Sequence, residues 1–133
     1  MRLYAHRNYL AEHGTPLKVT DLARHRLIGL DRCSVYADWL SYIGMPLSTS
    51  NFAFRRDNFP AHVEAIRAAL GIGLMHQSLA RRFVNVQQVL PGAPPPRLSL
   101  WLVCHSGVQF YKRIRLLINF LAEHLKHPYG SDT

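Results

Sequence analysis

The sequence predicts an α/β fold on a mostly parallel sheet, and three observations carry the prediction. Short apolar runs of strand length alternate with capped stretches of helical period along nearly the whole chain. The stretch from Asn51 to His76 reads as strand, helix, glycine stop and strand, which implies a right-handed crossover onto a parallel sheet. The run LSLWLVC, Leu98 to Cys104, is apolar on both of its alternating faces, as a strand buried on two sides should be.

Taken in order, Arg2 to Ala5 is a stub of apolar strand, and an opening in mid-strand implies further chain upstream. Asn8 is placed to cap a short helix, Tyr9 to His13, closed by Gly14. Thr20 caps a second short helix through Arg24, and Leu27 to Leu30 is the next strand, ending at Asp31. Ser34 opens a helix in which Val35, Trp39, Leu40 and Ile43 share a face, and Gly44 and Pro46 end it.

In Asn51 to Arg55 the alternation places Phe52 and Phe54 on one face of a half-buried strand. Asp57 or Asn58 caps the following helix, since either side chain can accept from an orphan N–H of the first turn. Pro60 falls in that turn, where a missing N–H costs little. Val63, Ile66 and Leu70 mark the packing face, Gly71 supplies a left-handed stop, and Ile72 to Met75 is a buried strand.

Gln77 to Arg82 reads as a short helix and Val84 to Leu90 as an irregular strand. Pro91-Gly92-Ala93-Pro94-Pro95-Pro96 is a stiff, extended surface segment. After LSLWLVC, Ser106 and Gly107 lead into the longest helix, about Val108 to Leu125. There Ile114, Leu117, Ile118, Leu121 and Leu125 form one apolar stripe. The residues after His127 are polar and should fray.

A chain of 133 residues is long enough for a substantial core. No apolar run approaches the roughly 20 residues of a membrane span, and Met1 to Leu10 has no apolar signal-like core. A cytoplasmic protein without membrane contact is expected. Cys33 and Cys104 stand far apart and read as reduced, structural thiols. The formal charge of +8 is spread over pairs such as Arg24/Arg26, Arg55/Arg56 and Arg81/Arg82. No helix-turn-helix, zinc-finger or aromatic RNA-binding pattern accompanies it. Such a surface suits solvent, or an anionic small molecule, better than nucleic acid.

No nucleophile elbow, phosphate loop or zinc-protease motif is present, and the eight acidic residues offer no pair spaced for acid–base work. Gly71-x-Gly73 follows a helix instead of opening one, so it is no dinucleotide fingerprint. The eight histidines are dispersed, and neither a metal nor another cofactor is expected. What remains is geometric. Ligands of such sheets bind beyond the carboxyl ends of the strands, where helix N-termini point. That rule selects Arg55 to Asn58, and then Met75 and His76. Asp57 and Asn58 keep two readings, a plain helix cap or part of a carboxylate site with Arg55 or Arg56.

Three groups of residues carry a family resemblance: LYAHRNYLAEHGTPLKVTDLARHRLIG near the start, FAFRRDN with AIRAALGIGLM in the middle, and LPGAPPPRLSLWLVCH with RIRLLINFLAEHL at the end. Over about Leu3 to Leu125 the chain resembles the effector-binding domain of LysR-type transcriptional regulators. The resemblance implies a type 2 periplasmic-binding-protein-like fold of two subdomains with a small effector in the cleft between them. Residues 1–97 would be the second subdomain. Residues 98–127 would be the return strand and terminal helix that join the first, and 128–133 a disordered tail.

The ligand-lining positions it implies are Phe54 to Asn58 (Phe54, Arg55, Arg56, Asp57, Asn58), Met75 and His76, and the crossover near Ala5 and His6. Relatives usually carry proline where this chain has His76, which puts that edge of the pocket in doubt. The facing wall would belong to the absent subdomain, so effector should be held weakly. DNA would be contacted only through a winged helix-turn-helix that this chain lacks. The function implied is sensing of an anionic or aromatic effector, without catalysis, in a homodimer or higher oligomer. The alternative is a ligand-free dimerisation module acting on full-length regulators. The apolar stripe of the terminal helix is expected to fold back or to pair with another chain, because each exposed aliphatic side chain forfeits about 1.5–3 kcal/mol.

Overall fold

The computed structural model describes residues 1–31, 34–45, 49–96, 99, 101–107 and 110–126. The chain divides into two compact units, Met1–Arg97 and Leu98–Thr133.

The first unit is a five-stranded mixed sheet of β1 (Arg2–His6), β2 (Leu27–Gly29), β3 (Phe52–Arg55), β4 (Ile72–Met75) and β5 (Val86–Gln88), in the spatial order β3-β2-β4-β1-β5. β2 pairs in parallel with both β3 and β4, so the strands of the Asn51–His76 unit lie on either side of β2 and do not touch. β1 runs the other way, antiparallel to β4 and to β5.

Alternation along the strands sends side chains into two separate cores. Leu3, Ala5, Leu27, Ile72 and Leu74 face one side, against Tyr9 and Leu10 of α1 (Arg7–His13) and Tyr36, Trp39 and Leu40 of α2 (Ser34–Tyr42). Tyr4, Ile28 and Met75 face the other, against Val63, Ala65 and Ile66 of α3 (Phe59–Arg67) and Ala80 of α4 (Gln77–Ala80). With both faces covered, β4 is buried at every position, which is why its sequence is an unbroken apolar run.

Phe52 and Phe54 part company with the alternation. Leu27 pairs with Phe52 but Ile28 pairs with Phe54, leaving Ala53 as an extra residue on β3. The bulge sends Phe52 to the α2 side and Phe54 to the α3 side, instead of both to one face. Gly29 is required opposite: a Cβ there would lie 2.6 Å from the Phe52 ring.

Several local expectations are corrected. α1 begins at Arg7, and its cap is the His6 side chain, whose Nδ1 accepts the Asn8 amide at 3.1 Å. The strand runs into the helix without a loop, so the capping position falls on the last strand residue. Val19–Arg24 is a 3-10 helix, and its N-terminal turn is closed by Asp21, not Thr20. The Asp21 carboxylate accepts the amides of Lys18 and Leu17, which hold its pKa below the usual carboxylate value. The residue in left-handed conformation after α3 is Ala69 (φ 59°), not Gly71. It lets the Ala69 and Leu70 amides reach back to the Ile66 and Ala65 carbonyls. Leu70, past that reversal, is exposed. Gly71 is needed for space, since a Cβ would sit 2.3 Å from the Arg26 carbonyl oxygen. In α2, Trp39 and Leu40 are buried as expected, and the Trp39 indole N–H donates to the Pro94 carbonyl at 2.9 Å, tying down the proline-rich run. Cys33 and Pro46 lie outside the described residues, as do Val108 and the chain beyond Lys126.

In the second unit, Ser99 and Trp101 to Cys104 form no strand, and the latter four are exposed. A strand needs a neighbour for its backbone N–H and C=O groups, and the described part of this unit contains none. α5 spans Lys112–Lys126, with Leu116, Leu117, Phe120 and Leu125 exposed. No described helix is long and apolar enough to cross a membrane.

Candidate functional site

The parallel strands β2, β3 and β4 end together, so Asp31, Arg55 to Asn58 and His76 follow their carboxyl ends on one rim of the sheet. A small polar network fixes this rim. The Asp31 N–H donates to Asp57 Oδ1 at 2.8 Å. Arg55 Nη2 lies 2.9 Å from Asp31 Oδ1 and donates to the Asp31 carbonyl at 3.2 Å. The same guanidinium carbon stands 5.9 Å over the Phe52 ring. The Arg56 N–H donates to the Gly29 carbonyl at 3.3 Å, while its side chain is exposed.

α3 starts on this rim. Asn58 Oδ1 accepts the Ala61 N–H at 3.0 Å, and the Asn58 carbonyl accepts the His62 N–H. Pro60 has no N–H to give. Among the described residues, these bonds leave the Phe59 amide as the first-turn donor without a partner. Asn58 is thus the cap and Asp57 a brace between strand ends. The cationic groups that converge here are Arg55, half-neutralised by Asp31, and Arg56.

Beneath the rim lies His62, which the periodicity did not single out. It is 2% exposed, stacks on Phe59 with ring centroids 5.9 Å apart, and bonds through Nε2 to the Leu74 carbonyl at 2.8 Å. Among the described residues its Nδ1 has no hydrogen-bond partner in bonding geometry, though the nearby Gly29 carbonyl favours a proton on the ring. Burial lowers the His62 pKa, against the opposing pull of the Leu74 and Gly29 carbonyls. Gly73 makes room for the ring, since a Cβ there would come within 3.1 Å of Nε2. A histidine one position from the Val63/Ile66 face, followed by a glycine inside an apolar strand, was the signal available.

The remaining sequence-predicted residues divide. Phe54 is half-buried in the α3-side core. Met75 is fully buried, in the α3-side core. His76 is partly buried and caps α4, its Nδ1 2.7 Å from Ser78 Oγ. Its pKa is lowered by burial first and by the chain's N-terminal ammonium second.

Ala5 and His6 do not join this rim. Because β1 is antiparallel, Arg2 pairs with Met75, while Ala5 pairs with Gln87 and His6 with Val86 at the opposite end. Arg2, not His6, therefore shares the rim, and its guanidinium donates to the Ala93 carbonyl at 2.8 Å. Among the described residues no three His, Cys, Asp or Glu side chains converge as metal ligands.

A mixed sheet with helices on both faces and a polar rim at its parallel strand ends defines an α/β domain of the kind that receives ligands beyond those ends. The model of the LysR substrate binding domain matches residues 1–126, and the chain belongs to that family. The regulatory domain of CrgA, a LysR-type transcriptional regulator from Neisseria meningitidis, superposes with a TM-score of 0.71 at 23% identity, covering 93% of this chain and 63% of that one. Full-length CrgA gives 0.62 at 20% identity, covering 93% of this chain and 44% of its own. The regulatory domain of AphB from Vibrio vulnificus gives 0.53 at 19% identity, over 68% and 47%. The chain thus spans less than two thirds of each of these proteins. No curated protein matches the chain.

Proposed function

We propose that the Met1–Arg97 unit is one wall of an effector-sensing site in a LysR-type regulator, recognising a small anionic or aromatic ligand without chemical transformation. The observation that supports this best is the braced rim, where Asp57 and Asp31 lock two strand ends while Arg56 is exposed and the Phe59 amide has no partner among the described residues. A carboxylate meeting both would receive a charge-assisted bond and a helix-terminus bond. On this reading the protein acts in the cytoplasm as an oligomer, and effector biases two states of the regulator through its differential affinity for them. DNA is met only by a separate DNA-binding element. A thermal-shift series of small carboxylates and neutral aromatics tests it. A saturable rise in Tm that is lost in Arg56→Gln supports the rim as the site, and a rise that survives this substitution removes it.

A second reading, an interaction module that works without ligand, draws on the exposed Leu116, Leu117, Phe120 and Leu125 of α5. Light scattering tests this second reading, while the thermal-shift series decides whether ligand is involved. A dimer that Phe120→Glu dissociates favours this module, and a monomer in both forms rejects it.

A further inference from the structure

At the other end of the sheet, where β1 finishes, the first unit has a cavity of about 470 Å³, within the size range of small-molecule sites. Separate pieces of chain meet there: the end of β1 with His6, the last turn of α3 with Glu64 and Arg67, and the segment after α4 with Arg82, Phe83 and Val84. We propose that this cavity is a second ligand site, built for a small planar monocarboxylate and distinct from the strand-end rim.

Four features argue for that chemistry. The Arg67 guanidinium lies 4.7 Å over the Phe83 ring and is held on one side by Glu64 Oε1 at 2.6 Å. A guanidinium resting over an aromatic ring has less side-chain freedom to lose when a carboxylate binds, and the Phe83 ring provides that support whether or not Glu64 is engaged. Arg67 and Arg82 face a single carboxylate, Glu64, so the lining carries one positive charge in excess, which a monoanion neutralises and a dianion overshoots. His6 accepts the Asn8 amide through Nδ1, so its neutral ring carries the proton on Nε2 as a further donor. The apolar half of the lining asks for a ring: Phe83 is half-buried, and Val84 is 82% exposed at the rim. Covering them with an apolar body removes that surface from water, which an inorganic anion or a sugar acid does less well.

The two ends are well separated. α3 has nine residues, so its cap at Asn58 and its last turn at Arg67 stand on the order of 13 Å apart along the helix axis.

Benzoate is the probe, with benzamide as its uncharged counterpart, titrated into the chain and followed by NMR. Benzoate should shift the Arg67, Phe83 and Val84 signals saturably, and benzamide should bind at least tenfold more weakly. Arg82→Gln should weaken benzoate several-fold. Glu64→Gln should tighten it, because it frees the engaged edge of Arg67 and raises the excess charge. All these side chains except Phe83 are exposed, so the variants' unaltered signals elsewhere verify their folding. Shifts confined to Phe59–Val63, equal affinity for benzoate and benzamide, or loss of binding in Glu64→Gln would each overturn the proposal. Failure here leaves the rim reading intact, since that one is read from Arg56.

Discussion

The main-chain N–H of Asp31, at the end of β2, donates to the side-chain carboxylate of Asp57, after the end of β3, at 2.8 Å. Arg55 grips the same Asp31 from its carboxylate and its carbonyl. Two loops that leave neighbouring parallel strands are thereby fastened to each other. Asp57→Ala should release the Asp31 amide to solvent and lower stability by about 0.5–1.5 kcal/mol, the usual net worth of such a bond. Urea denaturation measures this, and a change under ~0.3 kcal/mol would show that the brace is redundant.

The Tyr36 hydroxyl is buried with no partner among the described residues, while its ring packs on Trp39 and edge-on to Phe52. Burial pushes its pKa far up, which reports the same isolation. Tyr36→Phe keeps the ring contacts and removes the stranded group. It should be neutral or stabilising by up to about 1–3 kcal/mol, read as a rise in Tm; a marked fall would reveal a bond to this hydroxyl.

Glycine substitutions should rank by what the new methyl meets. At Gly71 it meets the Arg26 backbone carbonyl, which also accepts the Ile72 N–H and is therefore fixed between strands. At Gly73 it meets the Ile66 and His62 side chains, which can yield in part, and at Gly92 it meets nothing within 4 Å. Gly71→Ala should cost the most, beyond the ~1–3 kcal/mol typical of overpacking; Gly73→Ala should fall within that range and Gly92→Ala near zero. Chemical denaturation of the three variants checks the order.

Two buried histidines should make the first unit acid-sensitive. Burial lowers the pKa of His62, and burial followed by the charge of His13 lowers that of His25, with Asp21 opposing. The His25 Nδ1 also lies 3.2 Å from the Tyr9 hydroxyl, which accepts the Arg26 N–H. Both folded pKa values lie below the unfolded value of about 6.5. In the interval below it the unfolded chain binds protons that the folded chain refuses, so stability is complete above that pH and is lost as pH falls. Melting at pH 7.5 and 5.5 should show the loss, and His62→Gln and His25→Gln should each reduce the slope.

Much of the architecture was legible because burial leaves a pattern. Ile72–Met75 is apolar throughout since helices cover both its sides, and Asn58 before Phe59-Pro60 announces a helix start. Direction and register were not legible. Nothing in Arg2–His6 says that it runs against β4, yet that reversal decides that Arg2 shares the strand-end rim and His6 the opposite end. The bulge at Ala53 was hidden for the same reason, because an alternation F-A-F reads as one face until the partner strand is known. Met75 was selected by its place at a strand end and by the resemblance; its depth depends on α3 and α4 closing over it. Gly71 drew the wrong explanation because a glycine after a helix serves equally as a conformational stop and as a gap for a neighbouring carbonyl.

The reversed strand has a further consequence, in time and not in space. Of these five strands β1 is synthesised first, but its hydrogen-bond partners, Gly73 and Gln88 opposite Tyr4, come near the end of the unit. At roughly 5–20 residues per second, Leu3, Tyr4 and Ala5 wait on the order of ten seconds with no edge to join. Meanwhile β2, β3 and β4 can assemble into a parallel sheet whose edge is open where β1 belongs. Insertion of β1 between β4 and β5 is then the step that closes the sheet. It couples the ends of the chain segment through long-range contacts, which are slow to form. Until it happens, an apolar strand and an unpaired sheet edge coexist in the same nascent molecule. In cells, the yield of this protein should depend on what shields that pair during synthesis more than on the final stability of the fold.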